Sequence, residues 1–318
     1  MITTPVARRT GTADVRHDAG PTDRPPTTAL AGLAALPSIG LADLDTAAAL
    51  QTRTDRKYLV APGLLPDLLT AVHSFHRQSP GPGEPVRVLD IGGARSFAYR
   101  STYFDTPGLF SYHQAARSRP ARFKVRTRAY LATGTCWLEL KVRNARGETV
   151  KDRIELPPGC ERHLTPEARS FLAGHDQIAP HLDHLAPALV TTYDRATLHC
   201  GGLSRGQRVT VDAGLGCSRV TGTDADGTAA DGIDVPLGDL GNLLIVETKS
   251  AGHGPGPFDR ALWGLGVRPA GISKYAVGLA ASQPSLPANK WHRLLQRHVV
   301  SRHVVTPAGA TPRTGATR

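Results

Sequence analysis

The chain has 318 residues, enough for one large domain or two small ones around a sizeable core. Its 38 lysines and arginines against 27 acids leave a net charge of +11, which asks for an anionic partner: nucleotide, polyphosphate, nucleic acid or acidic membrane. Aromatics at only 5 % weigh against a base-stacking nucleic-acid surface, and four cysteines with no CxxC pair fit a reducing, cytoplasmic setting without zinc or disulfides.

Residues 1 to about 36, rich in Thr, Pro, Ala, Arg and Asp without periodicity, read as a disordered leader. Residues 29–42 are apolar and follow Arg8-Arg9, but Asp14, Asp18 and Asp23 intervene and no small-residue cleavage site follows, so no signal peptide is expected. No apolar run reaches about 18 residues, so no membrane-spanning helix is expected either. A short helix is predicted over 38–50, then a strand over 52–60 with Arg53, Asp55 and Lys57 on one face and Tyr58 on the other. The helix that follows, to Gln78, carries Leu64, Leu65, Leu68, Leu69, Val72 and Phe75 as a stripe for the outside of a sheet. Strands are predicted over 86–91 and 96–104, and a helical turn over 109–116.

Three charged strands come next. Lys124, Arg126 and Arg128 share one face, with Phe123, Val125 and Thr127 behind. Glu139, Lys141 and Arg143 form a second row, backed by Leu138, Leu140 and Val142; Lys151, Arg153 and Glu155 form a third. Any one such row is ordinarily a solvated face. Rows of one dominant sign on neighbouring strands repel, however, and an anion between them removes that cost.

Residues 157–192 read as short helices broken by Pro166, Pro180 and Pro187. Strands return over 189–200, 207–213 and 243–250, bringing Arg195, then Arg208 with Asp212, then Glu247 with Lys249. A short helix over 258–265, a helix opened by Ser273-Lys274-Tyr275, a basic helix over 288–300 and a disordered tail complete the chain.

The stretches RTDRKY (53–58), YRSTYFDTPGLFSYH (99–113), RFKVRTRAY (122–130), WLELKVR (137–143), KDRIEL (151–156), YDR (193–195), RVTVD (208–212), VETK (246–249) and SKY (273–275) follow one another in family order. Together they resemble the triphosphate tunnel metalloenzymes and, within them, the VTC domain of polyphosphate polymerases in its single-domain bacterial form. The resemblance implies an α+β fold: a closed antiparallel β-barrel of about eight strands with helices packed outside. It also implies a basic lumen in which Arg126, Arg128, Lys141 and Arg208 serve catalysis. Lys57, Lys151, Arg195 and Lys274 would bind substrate, joined by Arg53, Lys124, Arg153 and Lys249 from the same rows. Glu247 matches the metal-binding glutamate, with Glu139 as helper, for Mn²⁺ or Mg²⁺. Asp55 departs from the pattern, which has Glu there.

The expected organisation is a leader with a short helix (1–50), a tunnel domain (51–282) and a basic helix with tail (283–318). The expected function is transfer of the γ-phosphate of ATP to a growing polyphosphate chain. A tunnel triphosphatase and a non-catalytic polyphosphate or inositol phosphate module are the alternatives. ATP and polyphosphate are the expected partners; nucleic acid is not expected, and a membrane-protein partner stays open.

Overall fold

Alternation of apolar and charged residues gives a strand one face for a core and one for polar neighbours. The computed structural model describes residues 28–47, 53–77, 85–143, 149–201, 206–224, 227–252 and 254–299. In chain order the elements are β1 (Ser38–Ile39), α1 (Leu41–Ala47), β2 (Arg53–Val60), α2 (Leu65–Arg77), β3 (Val86–Leu89), β4 (Phe97–Asp105), α3 (Phe110–Ala116), β5 (Arg122–Tyr130), β6 (Thr135–Arg143) and β7 (Thr149–Leu156). Then come α4 (Pro166–Ala173), β8 (Ala186–Cys200), β9 (Gln207–Arg219), β10 (Ile233–Asp234), β11 (Leu244–Ala251), α5 (Pro257–Gly264), α6 (Lys274–Ser282) and α7 (His292–His298).

The main sheet is antiparallel and runs β2-β11-β9-β8-β4-β5-β6-β7. The closed barrel expected from the sequence does not form: the sheet curls into an open half-barrel, and among the described residues no backbone pairing joins β2 to β7. One cause is visible at the β2 edge. The Ala270 N–H donates to the Lys57 carbonyl at 2.7 Å, so the segment before α6 takes an edge group that β7 would need for closure. The seam is instead spanned by side chains, with Lys151 Nζ on β7 3.6 Å from Asp55 Oδ2 on β2.

The apolar backs of the strands carry the core. Phe123, Val125, Leu138 and Leu140 pack with Ala168 and Leu172 of α4, while Tyr58, Val209, Val211 and Val246 pack with Leu65, Leu68 and Val72 of α2. The α2 stripe therefore lies outside the sheet as its spacing predicts, each buried leucine contributing about 2 kcal/mol. Residues 28–36 do not continue a leader. Thr28–Ala35 is a 3-10 helix whose Leu30 and Leu33 enter the same core, with Leu36 beside them. The predicted 38–50 helix is split into β1 and α1 because Ser38 and Ile39 pair with Val88 and Leu89. The basic C-terminal helix is a short 3-10 turn leading into α7, held by buried Trp291 and Leu295 rather than free in solvent. The leader over 1–27 and the tail over 300–318 lie outside the described residues.

Two buried carboxylates lock elements that are far apart in sequence. Asp259, at the start of α5, accepts from the Tyr58 hydroxyl at 2.7 Å, Thr248 Oγ1 at 2.6 Å, Gln207 Nε2 at 3.0 Å and the Gly256 N–H at 2.8 Å, tying α5 to β2, β9 and β11. Asp105 accepts from the backbone N–H groups of Thr106, Ser111 and Tyr112 and from the Tyr275 hydroxyl, tying β4 and α3 to α6. A buried carboxylate is tolerated only with such saturation.

Candidate functional site: a cationic cavity

The concave face of the sheet encloses a cavity of ≈ 760 Å³. Eleven lysines and arginines against four carboxylates line it, so the space is strongly positive. Register explains how strand rows become walls. Arg126 stands opposite Glu139, Lys124 opposite Lys141, and Lys141 in turn opposite Lys151, all on the concave side of β5, β6 and β7. From the other half of the sheet, Lys57 stands opposite Glu247, and Lys249 opposite Arg208. The structure thus brings together every residue that the sequence nominates except Arg53, whose side chain lies outside the described residues.

Two carboxylates are used to hold guanidinium groups. Glu139 Oε2 accepts from Arg126 Nη2 at 2.5 Å and Nε at 2.9 Å, and its Oε1 lies 3.1 Å from Arg128 Nη1. Burial alone would raise the Glu139 carboxyl, but Arg126 and Arg128 bring it down to about 2. Asp212 takes Arg195 as a fork, with Nε to Oδ1 at 2.5 Å and Nη2 to Oδ2 at 2.8 Å, and also accepts from the Lys274 ammonium. Burial opposes its charge; Arg195 and then Lys274 overcome this and hold it well below the usual carboxylate range. The Arg195 fork, and the paired contacts of Arg126 on one Glu139 oxygen, fix these guanidinium planes in place before any ligand arrives.

Other cations are left without a carboxylate within ion-pair distance among the described residues: Lys57, Lys124, Lys141 and Lys249. Burial and the charges of Lys57, Arg126 and Lys141 push Lys124 well below the ordinary lysine value; its ammonium donates to Ser273 Oγ at 2.9 Å. Lost hydration, then Lys151 and Lys57, lower Lys141 to about 8, although the side chain remains open to lumen water. Lys249 also falls to about 8, with burial the largest cause and Arg195 and Arg208 adding to it against the pull of Glu247. These lysines sit where a cation is costly without an anion.

Helix α6 brings the remaining groups. Ser273 caps it by accepting from the Ala276 N–H, and Lys274 at its first position reaches the lumen. Gly278 lets the helix lie close on the sheet: a Cβ there would stand 2.8 Å from Leu189 Cδ2 and 3.1 Å from Cys217 Sγ. Tyrosines that the charged rows do not point to also line the cavity. Tyr103 is buried in a core cluster with Tyr275, yet it also lines the cavity and accepts from Arg126 Nη1 at 3.2 Å, whereas Phe104 beside it packs in the opposite core. Tyr193 and Tyr99 stack at 5.4 Å, with Lys274 Nζ 4.2 Å from the Tyr193 ring centroid. Burial would raise the Tyr193 phenol; Arg128, Arg195 and Lys274 outweigh it and set it near about 8. A tyrosine two residues before a lumen arginine on one strand was the available signal. Asp55, the departure from the family pattern, bridges the seam to Lys151.

For a divalent metal, no group of three or more His, Cys, Asp or Glu side chains converges among the described residues. Glu139 is engaged by Arg126 and Arg128, whereas Glu247 makes no hydrogen bond or ion pair among the described residues. Burial opposes the Glu247 charge, but Lys249, Lys57 and Arg195 keep it ionised far below the normal range. One free carboxylate in a cationic lumen fits Mg²⁺ or Mn²⁺, which bind through one or two carboxylates and complete their shell with water and other oxygens.

The family model of the VTC domain matches residues 52–283. Among solved structures, HpAC1 from Hippeastrum, assigned as an adenylyl cyclase and found to have a dominant triphosphatase activity, is 16% identical over 74% of this chain and 98% of its own, with a TM-score of 0.37. A conserved hypothetical protein from Pyrococcus furiosus is 13% identical over 74% of this chain and 97% of its own (TM-score 0.30), and the PH1012 protein from Pyrococcus horikoshii OT3 is 12% identical over 74% and 98% (TM-score 0.31). Scores this low put no weight on the likeness. No curated protein matches.

Proposed function

Because the chain belongs to the VTC-domain family and its cavity holds eleven cationic side chains against four carboxylates, we propose that it is a metal-dependent polyphosphate polymerase. The carrying observation is the set of lumen lysines, Lys57, Lys124, Lys141 and Lys249, that have no ion-pair partner among the described residues. A chain of condensed phosphate supplies one negative charge after another along such a row.

In this reading the terminal oxygen of the polyphosphate chain attacks the γ-phosphorus of ATP. The bond to the β–γ bridging oxygen breaks, and ADP leaves with that oxygen. The attacking oxygen is already ionised, so no general base is required, and catalysis is positioning and electrostatics. Arg126 and Arg128, fixed on Glu139, neutralise charge on the transferred group with Lys141 and Arg208. Lys57, Lys124, Lys151, Arg153, Arg195, Lys249, Lys274 and, from its strand position, Arg53 hold the donor and the chain. Mn²⁺ or Mg²⁺ held by Glu247 would supply charge neutralisation to the phosphates. Glu247 also separates this reading from a passive anion-binding module, which gains nothing from a free carboxylate in its lumen.

A second reading, hydrolysis of triphosphate or nucleoside triphosphate, is favoured by one feature: β7 is open to solvent, with Lys151 and Arg153 exposed, so water reaches the lumen. Incubation with γ-labelled ATP and Mn²⁺, with products resolved by length, separates the two. A ladder of labelled chains with ADP release supports the polymerase; labelled orthophosphate alone replaces it with the triphosphatase. Binding without any product under either metal overturns both.

A further inference from the structure

A second cationic cluster lies at the end of the β5 and β6 rows. Arg122 continues the concave row of Arg128, Arg126 and Lys124, and Arg143 continues the row of Glu139 and Lys141. Arg122 stands directly opposite Arg143, as Lys124 stands opposite Lys141, so the ladder ends in two successive like-charged pairs. Like charges placed opposite each other weaken a sheet. Lys290 joins them from the 3-10 turn before α7: its ammonium donates to the Ala115 carbonyl at 3.3 Å, and its lowered pKa follows first from lost hydration, then from Arg122 and Arg143. Arg122 itself donates to the Arg119 carbonyl and has no carboxylate partner among the described residues.

None of the three lines the cavity, yet Arg122 lies close enough to Lys124 for their charges to interact. The cluster is therefore the outward continuation of the lumen. Lys290 also lies beyond the VTC match, which ends at residue 283, so this arrangement is supplied by the C-terminal segment of this chain.

We propose that Arg122, Arg143 and Lys290 form an exterior subsite for the distal part of a linear polyphosphate whose end occupies the cavity. This rests on the reading of the cavity as a phosphate-binding lumen. Arg122 lies six residue steps along β5 from Arg128, about 20 Å at roughly 3.3 Å per residue. A triphosphate is too short to engage both, and a longer chain spans them. A single-stranded nucleic acid is disfavoured because the aromatic beside the cluster, Trp291, is 3 % exposed and packs against Tyr112, leaving no ring face for a base.

The test compares binding of tripolyphosphate and of polyphosphate tens of units long to the full chain and to the Arg122→Glu/Lys290→Glu variant, by calorimetry. The Arg122→Gln/Lys290→Gln variant serves as a milder change should the reversals disturb folding. The expected result is a long-chain affinity about tenfold lower, with tripolyphosphate affinity unchanged. Unchanged long-chain affinity, or equal loss for both ligands, overturns the subsite while leaving the lumen reading intact. A wild-type chain that binds neither ligand overturns the lumen reading and the subsite with it. A single-stranded oligonucleotide that binds as tightly as the long chain and weakens equally in the variants overturns the polyphosphate assignment.

Discussion

Lys249→Met is expected to make the ligand-free protein more stable while weakening its hold on phosphate. Lys249 lies on β11 opposite Arg208, and burial together with Arg195 and Arg208 lowers it from 10.5 to about 8 despite Glu247 nearby. At pH 7 the charged form is thus disfavoured in the fold by the difference between the two values, at ~1.4 kcal/mol per pKa unit, an upper bound of about 3 kcal/mol. Lumen water screens part of this, so a gain of about 1–2 kcal/mol is expected, or roughly 2–8 °C in Tm for a domain of this size. The pH dependence has a definite sign. Because the folded pKa is depressed, the unfolded chain binds more protons between about 8 and 10.5, and the contribution of Lys249 to stability rises with pH across that window. It is complete above the unfolded value and lost as pH falls through about 8. Thermal melts from pH 7 to 10 should therefore show the advantage of Lys249→Met at pH 7 shrinking toward pH 10, with tripolyphosphate affinity reduced at pH 7. A variant that melts at or below wild type at pH 7 would refute the claim that the empty lumen is electrostatically strained.

Glu247→Gln should abolish Mn²⁺- or Mg²⁺-dependent turnover while leaving metal-free tripolyphosphate binding equal or tighter, measured by product analysis and calorimetry side by side. Asp212→Asn removes the counter-charge of Arg195 and Lys274 together, and a loss of about 3–5 kcal/mol is expected by chemical denaturation because two buried cations lose their partner. Gly278→Ala places a methyl against Leu189 and Cys217; repacking costs about 1–3 kcal/mol and shifts α6 outward, so substrate affinity, read as KM, should weaken through the displaced Lys274.

What could be read in the sequence was whatever strand periodicity alone determines. The rows of Lys124, Arg126 and Arg128 and of Glu139 and Lys141 were legible because side chains two apart share a face whatever the rest of the chain does. Closure was not legible. It depends on the Ala270 N–H reaching the Lys57 carbonyl, a contact across more than two hundred residues with no local pattern. The same holds for Asp259, whose donors Tyr58, Gln207 and Thr248 come from three strands, and for Asp105, which gathers α3 and Tyr275. The YFDT and SKY stretches were matched as motifs, yet their joint physical role, an Asp105–Tyr275 bond that seats α6 over the lumen, needed coordinates. Tyr103 serves core and cavity at once because tyrosine is amphipathic: its ring packs near Tyr275 while its hydroxyl meets Arg126.

Strain and support are divided between the two faces of the sheet. The concave face concentrates like charges whose repulsion only an anion relieves. The convex face supplies the leucine- and valine-rich clusters and Asp259, which takes neutral donors from three strands and, among the described residues, one charged contact, Arg56 at 3.5 Å. Bonds between a carboxylate and neutral donors form without a ligand, so folding need not wait for phosphate. Substitutions on the two faces should then diverge in sign. Neutralising Lys124, Lys141 or Lys249, which lack an ion-pair partner among the described residues, raises the melting temperature of the empty protein and lowers the further rise caused by added tripolyphosphate. Removing an anchor on the convex face, such as the Tyr58 hydroxyl on Asp259, lowers the melting temperature and leaves that ligand-induced rise in place, since the anchor does not contact the anion.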